Sequence, residues 1–436
     1  SPYFKNRVSY LKASYSDTKR DFQGKILKDV STNDDLPYRV YTCKMSSHQL
    51  KEYRRAYARD SRSGDSEGDD GEEKETASAV YHASRAASNF AFPSGTSSST
   101  YFKNDEIPTI RKQSRFYKDI FGNSTDHEEM LTKLEKYSKK YAETIRLLLY
   151  PIDKSNTSEL ARGTMFVYNT SVNNGGCITF AACLAAFGFS PYTHVKHDKN
   201  VKRKARSIIE LGKARRYALI TGGTYTKAAR DQLFRYINDP LNADGEYIKV
   251  IIGSDAIATG LDVFNAGINV SHAPYWNLAI SDQAIARVFR VGSDTAIREM
   301  YPDFDRIRIY MMASIDADRD LSKSIEYRMY NIALKKDLEI KKIEQLLKIS
   351  AIDAVQNYGR NAQQPFFEDF SRYCEYDKCE FVPTVAKAKQ QITSNYNILY
   401  SEEDIEIIWK RLQILFYQKG YYLSLIHISE PTRRTP

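Results

Sequence analysis

Between Met165 and Met312 short apolar runs alternate with helical stretches, and this alternation restricts the chain more than any other feature. Met165-Phe166-Val167-Tyr168 reads as a strand, followed by a Gly175-Gly176 break and an apolar helix from Ile178 to Phe187. Tyr217-Ala218-Leu219-Ile220 reads as a second strand, followed by Thr221-Gly222-Gly223 and a helix from Thr226 to Tyr236. Lys249 to Ile252 and Ile307 to Met312 complete the series. Strands that alternate with helices specify an α/β fold, a parallel sheet wrapped by helices. Ligands of such sheets gather at the carboxyl ends of the strands. The loops that follow the strands are therefore where chemistry is expected.

The remainder of the 436 residues is more varied. A chain of this length can form two or three domains. It has no long uncharged apolar run to span a membrane, and no basic start followed by an apolar stretch reads as a signal peptide. The opening Ser1-Pro2-Tyr3-Phe4 suggests a fragment or a processed product. The acidic run from Asp65 to Glu73 carries no core-forming residue and is expected to be a disordered insertion. From His127 to Leu149, apolar residues recur at three- and four-residue steps, as in an amphipathic helix. Leu321 to Ile349 and Ser401 to Tyr417 are further helix candidates. Ser424 to Pro436 resembles a translated sequencing-adaptor tail and is set aside from fold reasoning. The net charge of +9 suits a polyanionic partner. Five cysteines in a chain this long make no disulfide framework and fit a reducing compartment.

Two segments carry the chemistry. Ser254-Asp255-Ala256-Ile257-Ala258-Thr259-Gly260-Leu261-Asp262-Val263 follows the third strand directly. Gly260 permits a tight backbone path beside a ligand, and Asp262 offers a carboxylate to a nucleotide ribose. Ser254 and Thr259 offer hydroxyls to a phosphate backbone. Alone, the segment reads equally as a strand, a turn and a helix cap. Gln283-Ala284-Ile285-Ala286-Arg287-Val288-Phe289-Arg290 is the second. On a helix, Arg287 and Arg290 share a face. Arginine binds phosphate oxygens bidentately and never deprotonates, so a pair of them can neutralise charge on a phosphoryl group in transfer. Gln283 is placed to orient the γ-phosphate or a water. Alone, this segment is an exposed helix with two solvated arginines.

Their order and spacing, separated by His272-Ala273-Pro274-Tyr275-Trp276-Asn277, resemble motifs V and VI of superfamily 2 helicases. Phe166-Val167-Tyr168 resembles motif IV, and Gly222 with Arg230 the element after it. Tyr3 to Leu11, Met45 to Gln49, Ser88 to Pro93, Asn238 to Asn242 and Pro274 to Asn277 resemble a narrower viral family. That family comprises the small subunit of the poxvirus early transcription factor, nucleoside triphosphate phosphohydrolase I and their relatives in large DNA viruses. Thr259 stands where the family has Glu, and Ala286 where it has Gly.

The resemblance implies a RecA-like second motor domain of a DNA-dependent ATPase that serves viral transcription. Arg287, Arg290 and Gln283 would be catalytic, Gly260 and Asp262 would meet the nucleotide, and Gly222, Ser254 and Thr259 the nucleic acid. The implied cofactor is ATP with Mg²⁺, the metal's ligands lying in a first motor domain. No Gly-x-x-x-x-Gly-Lys-Ser/Thr and no Asp-Glu-x-His or Asp-Glu-Ala-Asp box occurs in the chain. The chain alone is thus expected not to hydrolyse ATP. The implied partners are DNA, with RNA as the alternative, the first motor domain and a viral RNA polymerase. The implied location is the virion and the host cytoplasm. The competing reading is a non-catalytic module that binds DNA or polymerase through a degenerate motor fold.

The expected organisation is four-part. Residues 1–126 hold the end of the first motor domain, a linker and the insertion. Residues 127–315 form the RecA-like domain, 316–423 a helical extension, and 424–436 the tail. Lys199, Lys202, Arg203, Lys204, Arg206, Lys213, Arg215 and Arg216 form a basic run that either tracks phosphates or lies in a solvated loop. Cys374 and Cys379 are read as structural, because tetrahedral zinc needs two more ligands. His272 is read as packing.

Overall fold

The computed structural model describes residues 4, 8–12, 18–64, 81–94, 96–102, 114–150, 160–192, 207–222, 224–254, 262–363, 367–384 and 402–418. The acidic run, the basic residues from Lys199 to Arg206, Thr259, Gly260 and the segment from Ser424 lie outside them. Two compact units are present. The larger comprises Leu11–Leu346 and Tyr358–Phe381; the smaller comprises Ser1–Tyr10, Leu347–Asn357 and Val382–Pro436.

The larger unit is built on one sheet of nine strands. In chain order these are β1 (Lys19–Phe22), β2 (Lys25–Lys28), β3 (Asp35–Lys44), β4 (Thr164–Tyr168), β5 (Ser190–Pro191), β6 (Arg216–Ile220), β7 (Val250–Gly253), β8 (Ala266–Ser271) and β9 (Arg306–Ile315). Their order across the sheet is β2-β3-β9-β8-β4-β7-β6-β5, with β1 also on β9. Every pairing is parallel except that of β2 with β3. Residues 19–44, expected to belong to a preceding domain and linker, instead extend this sheet: β1 pairs with the start of β9 and β3 with its end.

Fourteen helices occur among the described residues. Before the central strands come α1 (Ser47–Gly64), α2 (His82–Asn89), α3 (Ser98–Tyr101), α4 (Arg115–Phe121), α5 (His127–Glu135) and α6 (Lys139–Leu149). Between the strands lie α7 (Cys177–Ala186), α8 (Ile208–Leu211), α9 (Lys227–Ile237), α10 (Leu278–Ala286) and α11 (Thr295–Met300). Then follow α12 (Ile325–Ser350), α13 (Tyr358–Ala362) and α14 (Glu402–Gln418). None of the described helices is long and apolar enough to cross a membrane.

Both faces of the sheet are covered, which explains why β4, β7 and β8 are buried at every position. Side chains alternate across a strand. Met165 and Val167 therefore join one core with α5, α6 and α7, while Phe166 and Tyr168 join the other with α9, α10 and α12. This is the parallel α/β arrangement that the alternation implies, in keeping with the RecA-like fold that the resemblance implies.

Two helical expectations are refined. The stretch from His127 to Leu149 is two helices, because Ser138 breaks it and caps α6 by accepting from Tyr141 N–H at 3.1 Å. The helix bearing the paired arginines ends at Ala286, so Arg287 and Arg290 leave it rather than sharing its face.

Candidate functional site

The parallel register aligns the carboxyl ends of four strands. Tyr168 of β4 lies opposite Gly253 of β7 and Ser271 of β8, and Ile220 of β6 opposite Gly253. The residues that follow form one edge. Asn169 N–H donates to Gly253 O at 2.9 Å, and His272 N–H to Tyr168 O at 2.9 Å. Gly222 and Ser254 lie on this edge, one strand apart, with the loop after β4 beyond them. Neighbouring strands are spaced about 4.8 Å, so the three loops spread over roughly 10 Å. A Cβ on Gly222 would meet nothing within 4 Å, which leaves its backbone open to approach. Ser254 is buried, with its N–H donating to Ile220 O at 3.3 Å.

Asp262, Arg287 and Arg290 meet elsewhere. Asp262 precedes β8, and Val263 N–H donates to Arg287 O at 3.0 Å while Asn265 N–H donates to Ser293 O at 2.7 Å. These bonds hold the segment after α10 against the amino end of β8. The expected gathering of all chemistry at carboxyl ends thus divides in two, separated by a six-residue strand of about 20 Å. At the amino end, Asp262 Oδ1 lies 3.1 Å from Arg290 Nε and 3.6 Å from Arg287 Nη1. Arg290 is half exposed and Arg287 is mostly covered. Asn238, capping α9, clamps the Asp262 segment: its amide donates to Asp262 O at 3.0 Å and accepts from Phe264 N–H at 2.9 Å. Asn265 adopts a left-handed φ of 58° there. A Cβ on Gly163 would fall 2.6 Å from Asn265 O, so only glycine fits that crossing. Gln283 is exposed on α10, one turn before Arg287.

Residues that no motif marked brace this segment from behind. Arg372 donates to Asp337 of α12 through Nε and Nη2, both at 2.6 Å, and to Asp282 of α10 at 2.5 Å. Burial pushes the Asp337 carboxyl up, yet hydrogen bonds from Arg372 and Tyr376 hold it below its ordinary value. Arg20 of β1 lies over the Phe289 ring at 4.6 Å, between the two arginines in sequence, and over Tyr373 at 5.1 Å. Cys374 and Cys379 form a disulfide that closes the loop carrying Tyr376. The thiols expected from a reducing compartment are thus only Cys43, Cys177 and Cys183, all buried.

Of the basic run, Lys213 pairs with Glu246 at 2.6 Å, and Arg216 donates to the carbonyls of Leu211, Gly212 and Tyr247. Arg216 thereby ties its loop to the strand rather than facing solvent. His272 is fully buried, with its ring 4.7 Å from those of Tyr141 and Phe180 and a nitrogen 2.8 Å from Thr144 Oγ1. Burial, with the Lys140 charge beside it, holds its pKa well below the ordinary value. Its role is packing.

Residues 188–292 match the helicase conserved C-terminal domain. The relatives are proteins of large DNA viruses. One, named "Putative helicase 087L", from Invertebrate iridescent virus 3, is 30% identical over 90% of this chain and 35% of its own length. A "Termination factor NPH-I homolog" of African swine fever virus is 32% identical over 35% of this chain and 22% of its own. The chain spans about a third of the length of the first relatives it matches. Among solved structures, the C-terminal part of the Fun30 ATPase domain aligns over 72% of this chain and 89% of its own, at 13% identity and a TM-score of 0.37.

Proposed function

We propose that the chain is the second motor lobe of a nucleic-acid-dependent ATPase, completing its nucleotide site with Arg287 and Arg290. The observation that carries this reading is the convergence of both guanidinium groups on one carboxylate oxygen of Asp262. Two cations already gathered on one anionic oxygen suit a phosphate oxygen equally well. Asp262 then keeps the arginines together until phosphate takes its place, rather than meeting a ribose. ATP with Mg²⁺ is the cofactor this implies, and its chemistry is phosphoryl transfer to water. The chain's own part is to neutralise developing negative charge with Arg287 and Arg290. Gln283, one turn back on α10, would orient the terminal phosphate or the water.

Gly222 and Ser254, with Thr259, would hold a nucleic-acid backbone along the carboxyl edge. Gly260 would let the chain pass close to the nucleotide. Contacts from hydroxyls and backbone amides position a strand without reading its sequence. DNA is the proposed polymer, a first motor lobe and a viral RNA polymerase the proposed partners, and transcription in the virion and host cytoplasm the proposed setting. The relative named as a termination factor homolog supports that setting.

The test is nucleic-acid-stimulated ATP hydrolysis with a phosphate-loop motor domain supplied. Arg290→Ala is expected to lower the rate about 10³-fold while leaving nucleic-acid binding in place. An unchanged rate removes the arginine assignment, and a motor domain that hydrolyses ATP no faster with this chain than without it leaves a non-catalytic binding module.

A further inference from the structure

The carboxyl edge does not end at the loop after β4. That loop runs into a cavity of about 300 Å³ between α1, α2 and the segment from Phe90 to Ser98. The volume is at the small end for an organic ligand and fits one planar ring system rather than a folded chain. Its apolar lining is Phe92 and Pro93, with Phe90 almost wholly buried beside them, and α2 turns Ala83, Ala86 and Ala87 toward it, with His82 at its start. These small side chains leave a slot against Phe92 and Pro93. The rim is polar: Glu52, Arg59, His82, Ser97, Ser98 and Asn174.

Asn174 connects the slot to the edge. It belongs to the loop after β4, and its side-chain oxygen accepts from Ser98 Oγ at 2.9 Å. Next to it, a Cβ on Gly175 would lie 3.1 Å from Ala86 O and 3.2 Å from Phe90 Cβ, so the loop lies flush on α2. Arg85 of α2 reaches Thr170 Oγ1 in the same loop at 3.5 Å. The loop after β4 thus joins the carboxyl edge to the slot.

We infer that this slot takes one unpaired nucleobase from the strand held along the carboxyl edge. The inference rests on the reading of that edge as a nucleic-acid track. Phe92 and Pro93 offer an apolar surface to any base, and the hydroxyls and amide of the rim meet its edge while Arg59 meets its phosphate. The substrate class this selects is single-stranded nucleic acid, since a paired base cannot leave its stack without cost.

The test uses the whole chain and single-stranded DNA and RNA oligonucleotides, each with an end fluorophore and one 2-aminopurine scanned along the sequence. Anisotropy reports binding, and 2-aminopurine emission reports an unstacked base. The expected result is emission that changes at one position within the bound segment. Ala83→Trp, which fills the slot, should abolish that change and weaken binding about tenfold. Arg59→Ala, on the exposed rim, should reduce it without altering the melting temperature, and decides the matter if Ala83→Trp does not fold. Binding with no emission change at any position overturns the slot while leaving the track intact. No binding of either polymer overturns both. Free 2-aminopurine mononucleotide binding as tightly as the strand assigns the slot to a mononucleotide and overturns the inference.

Discussion

His272 shows how one side chain can answer a motif question by its surroundings. It lies in the stretch between the two helicase-like motifs, where a histidine invites a reading as a base. Its ring is instead enclosed by Tyr141, Phe180 and Thr144, and Lys140 donates to its own carbonyl. The charged groups nearest it are the Lys140 ammonium of α6 and, through it, the Glu326 carboxylate of α12. A depressed imidazole pKa means that the folded state binds no proton where the unfolded chain, with a value of about 6.5, does. Stability is therefore full above that value and falls as pH drops below it, by up to about 1.4 kcal/mol per pH unit. Melting temperature measured from pH 7.5 to 5.5 should decline, and His272→Gln should flatten the decline. An equal slope in the variant assigns the loss to other groups.

At the scale of elements, β4, β6, β7 and β9 and the helices that follow the first two were legible, since they are apolar runs bounded by glycines or capping residues. β8 was not. Its sequence, Ala266-Gly267-Ile268-Asn269-Val270-Ser271, mixes small and polar residues, and Gly267 is there because a Cβ would fall 2.1 Å from Arg162 O. Only the fold reveals that close approach. The end of α10 was equally hidden. The spacing of Arg287 and Arg290 continues a helical period, but the backbone ties to Val263 and Asn265 lead the segment away from it. The brace from Arg372 lies 82 residues after Arg290 and belongs to no motif, so nothing in the sequence could have joined it to α10. Arg372→Met removes the partner of Asp337, a carboxylate whose side chain is 6% exposed. Breaking a pair buried to this degree should cost about 1–3 kcal/mol, the guanidinium itself being partly solvated. The consequence belongs to α10: amide exchange across residues 278–290 should quicken, and Arg372→Lys should not restore it, because an ammonium cannot span both carboxylates in a fork. Exchange that stays as slow as in the parent chain makes the brace incidental.

For the larger unit as a whole, one buried ion pair connects helices from the two faces of the sheet. Lys140 of α6 and Glu326 of α12 are 0% and 1% exposed and meet at 2.8 Å. The ammonium also donates to Asn89 Oδ1, at the end of α2, at 3.1 Å, and to the carbonyl of His272 beyond β8. The carboxylate accepts from Ser314 N–H of β9 at 2.7 Å. Burial raises the Glu326 pKa, opposed by the charge and hydrogen bond of Lys140. Such a pair adds little stability over an apolar one of the same shape, but removing one partner leaves the other buried and unpaired. Lys140→Met should therefore destabilise the chain by about 3–5 kcal/mol, while Lys140→Met with Glu326→Leu should recover most of that loss. Because the pair ties the end of α2 to the loop after β8, the double variant should be stable yet less ordered along the carboxyl edge. Its nucleic-acid affinity should fall further than its melting temperature suggests. Chemical denaturation and anisotropy on the same three proteins separate the outcomes: affinity that follows stability alone would reduce the pair to a packing feature, whereas affinity lost in a stable double variant gives it the task of setting the edge.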